Sequence, residues 1–133
     1  LPASVTFEVR KLDLNLLYTK TAVLGANGAF TIDAPLDPGQ YSVSLKIGTW
    51  LRRAVIANTM PGDASGLSFV LVNGDVDGDD AVTVFDYALL SEAFDSSPGQ
   101  PNWDHRADLD GDGAVTVFDY AILSENFDLS GDA

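Results

Sequence analysis

The stretch DVDGDDAVTVFDYALLSEAFD at 75–95 decides how this chain is read. It returns at 108–128 as DLDGDGAVTVFDYAILSENFD. The copies differ only at Val76/Leu109, Asp80/Gly113, Leu89/Ile122 and Ala93/Asn126. Repetition this close predicts two equivalent units related by a pseudo-twofold axis. Each copy opens with aspartates alternating with other residues. Each then continues with apolar residues at three- and four-residue spacing, which predicts an acidic loop followed by one helix.

The aspartate spacing fits a hard cation. Ca²⁺ takes about six to eight oxygen ligands, and a twelve-residue loop supplies them from positions 1, 3, 5, 7, 9 and 12. In the first copy these are Asp75, Asp77, Asp79, the Ala81 carbonyl, Thr83 and Asp86. In the second they are Asp108, Asp110, Asp112, the Ala114 carbonyl, Thr116 and Asp119. Two Ca²⁺ ions are therefore expected, one per loop. Mg²⁺ suits such loops less well, because it prefers a tight octahedral shell that keeps several waters. Position 12 is Asp where the standard loop has Glu. Position 6 is Gly113 in one loop and Asp80 in the other. A sharp turn there favours glycine, so the first loop is expected to be the more strained. Position 8, Val82 and Val115, is expected to pair the two loops through a short β-bridge and to send its side chain into the core.

In each helix one face carries Tyr87, Leu90 and Phe94, or Tyr120, Leu123 and Phe127, and this face is expected to be core. Val84, Phe85 and Leu89, with Val117, Phe118 and Ile122, lie on a different face. Two short helices cannot bury apolar residues over so much of their circumference. The surplus predicts a surface for a protein partner.

Composition narrows the function. The chain has 133 residues, 46% hydrophobic, with no cysteine and one histidine. A disulfide framework and thiolate chemistry are excluded, which leaves bound metal as the staple for a small fold. The net charge is −13. Up to Gly74, five acids face six bases; from Asp75 onward fifteen acids face only Arg106, a net of −14. Nucleic acid and anionic membrane are poor partners for such a half, and cations are good ones. No stretch is apolar for the roughly 20 residues a membrane span needs. The chain begins Leu1-Pro2-Ala3 without Met and reads as a mature or excised piece. His105 lies in the Pro- and Gly-containing loop between the copies with no evident nucleophile, and no catalytic constellation is visible, so no enzyme is expected. Trp103, in the same loop, is expected to fold back onto a helix.

The N-terminal half has a different period. SVTFEVR at 4–10 alternates apolar and polar residues, as do the stretches at 17–24, 29–32, 41–47, 53–56 and 67–72. Turn signals separate them at 25–28, 37–39 and 61–63. The expected fold is mixed: a small antiparallel β-sandwich of immunoglobulin-like type at 1–73, then a pair of calcium loop-helix motifs at 74–133.

Residues 74–128 resemble a dockerin: two loop-helix repeats with Asp at loop position 12. The resemblance implies two bound Ca²⁺ ions and a cohesin-like protein partner outside the cell or at its surface. In the commonest dockerins positions 10 and 11 are small hydroxyl residues that face the cohesin; here they are Val84-Phe85 and Val117-Phe118. The N-terminal half is similar to carboxypeptidase regulatory-like and collagen-adhesin B-type domains at 27–32 and 36–43. Such domains begin with one more strand than can be found before Ser4. That implies an open sheet edge, a template for strand addition. The alternative to docking is therefore a self-assembling extracellular filament or surface subunit, with copies of the chain as partners.

Overall fold

A computed structural model describes residues 4–60 and 62–132; the turn signal at Pro61 falls outside them. The chain divides into two compact units. One comprises residues up to Lys46 together with Arg53–Val70, and the other Ile47–Arg52 together with Leu71–Asp132.

The first unit is a four-stranded antiparallel sheet. Its strands are β1 (Ser4–Lys11), β2 (Leu16–Val23), β3 (Gln40–Leu45) and β4 (Arg53–Asn58), in the order β2-β1-β3-β4. Phe7 opposes Lys20 on one side and Leu45 on the other, and Val9 opposes Tyr18 and Val43. Because side chains alternate along a strand, this register puts Val5, Phe7, Val9, Val43 and Leu45 on one buried face. Two stretches expected as strands, 29–32 and 67–72, make no ladder. They instead lay Phe30 and Phe69 over Phe7, with ring centroids 4.7 and 5.7 Å away. Their alternation serves to aim one aromatic ring inward, and burying that ring does not require a paired backbone.

The second unit holds α1 (Val84–Ala93) and α2 (Val117–Glu125). Its core is Leu51, Val76, Val82, Leu90, Ala93, Ala107, Leu109, Val115 and Leu123. Trp103 packs against this core, as its loop position led us to expect. Leu51 is fully buried here although it lies more than twenty residues before the first loop. Its N–H donates to the Val72 carbonyl at 2.7 Å, and the Thr49 carbonyl accepts from Asp75 N–H at 2.8 Å.

Asn73 ties these pieces together. Its side-chain amide donates to the Leu109 carbonyl at 2.7 Å, and its own carbonyl accepts from the Asn126 amide at 2.8 Å. Its Oδ1 accepts from the Thr49 hydroxyl at 2.7 Å. Gly74, at φ 130°, lies so close to Val82 that an added Cβ would sit 3.2 Å from its Cγ2. Glycine is required there for both reasons.

Two expectations are corrected. Val82 and Val115 are fully buried, but they do not pair the loops with each other. Val82 exchanges hydrogen bonds with Asp128 and Leu129 (2.7 and 2.8 Å), and Val115 with Asp95 and Ser96 (2.7 and 2.9 Å). Each loop is thus strapped by the chain leaving the other repeat's helix. Tyr87, Phe94, Tyr120 and Phe127 are 39–48% exposed, so only Leu90 and Leu123 of the expected core faces enter the core. Leu51, Leu109 and Trp103 take the space those rings would need.

Leu51→Ala is expected to destabilise the second unit by about 2–5 kcal/mol, the cost of an apolar cavity. Thermal unfolding followed by the fluorescence of Trp50 and Trp103 measures this; an unchanged midpoint would remove Leu51 from that core.

Candidate metal and docking site

The acidic loops owe their shape to short-range carboxylate–backbone bonds. Asp77 Oδ1 accepts from Asp79 N–H at 3.1 Å, and Asp79 Oδ1 from Ala81 N–H at 3.1 Å. Asp110 and Asp112 do the same for Asp112 and Ala114, at 3.2 and 3.0 Å. Each is an Asx turn, the local motif that aspartate forms more readily than other acids. Asp75 receives the N–H groups of Gly78 and Asp80, both at 2.9 Å.

Position 12 closes each loop. Asp86 is fully buried; its Oδ1 accepts from Asp77 N–H at 3.0 Å and its Oδ2 from Thr83 N–H at 2.7 Å. Asp119 repeats this with Asp110 and Thr116, at 3.0 and 2.7 Å. Thr83 and Thr116 are the N-caps of α1 and α2, and with Asp86 and Asp119 they form capping boxes. Asp at this position spans back to the cap while still reaching the loop's third residue.

Asp75, Asp77, Asp79 and Asp86 therefore converge, as do Asp108, Asp110, Asp112 and Asp119. Within each set one oxygen per residue lies within 4.8 Å of all the others. Asp80 belongs to neither set. Oδ1 of Asp108 is buried without a hydrogen-bond partner. A buried carboxylate oxygen without a protein partner in a four-carboxylate cluster fits a cation ligand. Burial pushes Asp77 up to about 6, helped by the nearby charges of Asp86 and Asp79. Asp110 is likewise pushed up to about 6, chiefly by burial, with Asp119 nearby.

The second feature is apolar. Val84 and Val117 are each 58% exposed, and Phe85 and Phe118 each 67%. They open the two helices directly after the capping threonines. Leu89 and Ile122, expected on the same partner surface, are only half exposed and pack against the core. A groove of about 350 Å³ lies beside this surface, lined by Tyr87, Leu90, Ser91, Phe94, Val117 and Tyr120. Tyr87 and Tyr120 meet edge to face across it, 5.5 Å between centroids. Sequence reading missed the groove because it assigned those rings to the core.

His105 is exposed in a short turn; its neighbours Asp104 and Arg106 pair at 2.8 Å. No helix among the described residues is long and apolar enough to cross a membrane.

Residues 73–128 match the dockerin type I domain. Two solved structures share the fold of nearly the whole chain. One is an N-terminal interface mutant of a type II cohesin–X–dockerin complex from Acetivibrio cellulolyticus; it is 23% identical, with a TM-score of 0.67, covering 96% of this chain and 83% of that one. The other is a C-terminal interface mutant of the same kind of complex; it is 24% identical, with a TM-score of 0.69 and the same coverages. A comparison with curated proteins finds no match. Dockerin domains bind calcium, and the two aspartate clusters both lie within the dockerin match.

The raised pKa values of Asp77 and Asp110 fix the sign of a pH effect. Their ordinary value is 3.8, so between there and about 6 the metal-free fold holds protons that the unfolded chain has released. Stability of the metal-free dockerin segment should then fall as pH rises through that window. Ca²⁺ needs those carboxylates ionised, so its affinity should rise over the same window and level off above it. Melting curves with chelator and with Ca²⁺, from pH 4 to pH 7, check both slopes; a metal-free midpoint that rises with pH contradicts the assignment.

Asp86→Ala and Asp119→Ala should each lower the melting midpoint of the Ca²⁺-loaded chain by on the order of 10 °C, through loss of the cap and of ligand linkage. An unchanged midpoint in saturating Ca²⁺ counts against these residues as loop closers.

Proposed function

We propose that this chain is a non-catalytic, secreted docking module that binds two Ca²⁺ ions and attaches to a cohesin-like protein. The ligands are Asp75, Asp77, Asp79, the Ala81 carbonyl and Asp86, and Asp108, Asp110, Asp112, the Ala114 carbonyl and Asp119. Thr83 and Thr116 spend their hydroxyls on the helix caps, where Phe85 and Phe118 N–H groups donate at 3.3 Å. Position 9 then acts through water, as it often does in such loops. The ions are structural: they neutralise the clusters and thereby hold the helix starts in place. Weak extracellular sites suit this role, on the order of 10⁻⁴–10⁻³ M.

The observation that carries the docking reading is the matched exposure of Val84-Phe85 and Val117-Phe118, 58% and 67% in both copies. Four large apolar side chains held in water at rigid helix starts make a partner surface. From Asp75 onward the chain carries a net −14. The complementary face on the partner is therefore apolar at its centre and basic at its rim. The solved complexes that share the fold are of cohesin with X–dockerin chains, which agrees with this partner class. The first unit, read as the immunoglobulin-like domain that precedes the dockerin segment, carries no cluster of three or more acidic or histidine side chains among the described residues.

A second reading draws on β2, an edge strand of the sheet that exposes Leu16 (50%) and Val23 (77%). An edge of this kind accepts a strand from another copy. Sedimentation separates the two: a docking module stays monomeric in Ca²⁺, and an assembly subunit polymerises by itself.

The double change Phe85→Ala with Phe118→Ala should leave Ca²⁺ binding intact. It should weaken capture by a cohesin at least thirtyfold, the loss typical of buried aromatic anchors. Surface plasmon resonance against purified cohesins measures it; unchanged affinity would remove these residues from the interface. If each single change is silent, the two repeats serve as alternative binding faces.

A further inference from the structure

The two loops differ at position 2, Val76 or Leu109, which is core in both, and at position 6, where neither a ligand nor a core role explains the change. Position 6 is Gly113 in the second loop and Asp80 in the first, and both take left-handed backbone, at φ 85° and 68°. Asp at such a φ is less favourable than Gly. The first loop nevertheless carries it, and its carboxylate stands outside the converging set.

Asp80 binds other parts of the second unit through both its carboxylate and its backbone. Asp80 Oδ1 accepts from the Arg52 N–H at 2.6 Å. A Cβ at Gly131 would overlap the same carboxylate, so the chain passes Asp80 at glycine-only distance. The Asp80 carbonyl accepts from Gly131 N–H at 2.8 Å, and the Arg52 carbonyl accepts from Asp132 N–H at 2.8 Å. Ala81 and Ser130 form a bridge. Meanwhile Asp80 N–H donates to Oδ2 of Asp75, the residue that opens the cluster, at 2.9 Å. Asp80 is thus bonded at once to the cluster, to the segment entering the unit and to the chain leaving it. The second loop has the equivalent bond from Gly113 N–H to Asp108, at 3.0 Å, and no side chain to make the counterpart of the Arg52 bond.

We propose that Asp80 is a positioning residue for the first cation loop: it fastens Arg52 and the chain around Gly131 to that loop, so that first-loop Ca²⁺ affinity, unlike second-loop affinity, depends on the residues that follow Leu129. The proposal rests on the reading of both loops as Ca²⁺ sites. Before the C-terminal residues are held, the backbone turn that presents Asp75, Asp77 and Asp79 lacks the Gly131–Asp80 bond and the Ala81–Ser130 bridge. Once they are held, its geometry is set from three sides, and less ordering remains for the ion to impose.

The test is a Ca²⁺ titration of the full chain followed by two-dimensional NMR, with the Gly78 amide reporting the first loop and the Gly111 amide the second. Asp80→Gly and Gly131→Val should each weaken the first loop about tenfold and leave the second within about twofold, the loss of one charge-assisted hydrogen bond. Glycine at 80 also relieves the left-handed backbone, a gain that opposes the expected loss. Asp80→Asn keeps an acceptor oxygen and should restore most of the first-loop affinity. Equal weakening of both loops, an unchanged first loop, or an Asn variant as weak as the Gly variant would overturn the proposal. If the wild-type chain binds Ca²⁺ at neither loop, the calcium reading falls and takes the proposal with it. That outcome is distinct from variants that fail to discriminate between two loaded loops.

Discussion

The buried carboxylates of Asp86 and Asp119 are the points on which the second unit turns. Each accepts one N–H from its loop and one from the helix cap, and so joins an acidic turn to an apolar helix. Each also lies within 4.8 Å of three other carboxylates. At that separation two full charges repel by roughly 3 kcal/mol at an effective dielectric near 20. Backbone N–H groups offset part of this, and a divalent cation reverses it. The same geometry that would make the loops unstable when empty makes them selective for a hard, highly coordinated ion.

The proposed metal and partner surfaces share residues in direct succession. Position 9 caps the helix, positions 10 and 11 are the exposed Val and Phe, and position 12 closes the loop. Whatever orders the loop therefore orders the apolar pair. This places the proposed docking surface on a rigid helix start, where little conformational entropy remains to be lost on binding.

Much of the second unit was legible because its chemistry is local. The repeated aspartates and the apolar helical spacing act within a dozen residues of one another; Thr83 and Thr116, read from the same spacing as cation ligands, turn out to cap the helices. What the sequence did not show concerns mostly distant partners. Asn73-Gly74 marks the expected domain boundary, and nothing in its spacing tells that Asn73 holds Leu109, Thr49 and Asn126. Leu51 has no local signal that assigns it to a core formed mainly by residues 76–123. Tyr87 and Phe94 have helical spacing suited to burial, yet the core is already filled from elsewhere. Val82 and Val115 were recognised as buried pairing positions, but pairing identity depends on the crossing of the chain after each helix. In the first unit the alternation at 29–32 and 67–72 correctly marks inward aromatic residues and wrongly implies a ladder, because alternation reports which side is buried and not what the backbone bonds to.

The central claim is that two ions, one per loop, hold the second unit in its docking shape. Native mass spectrometry of the intact chain tests it most directly. The account predicts a species carrying two Ca²⁺ ions in a narrow, low charge-state envelope, which loses both ions and broadens to higher charge when chelator is added. A chain that keeps the same compact envelope without metal, or that takes up no Ca²⁺, would contradict it.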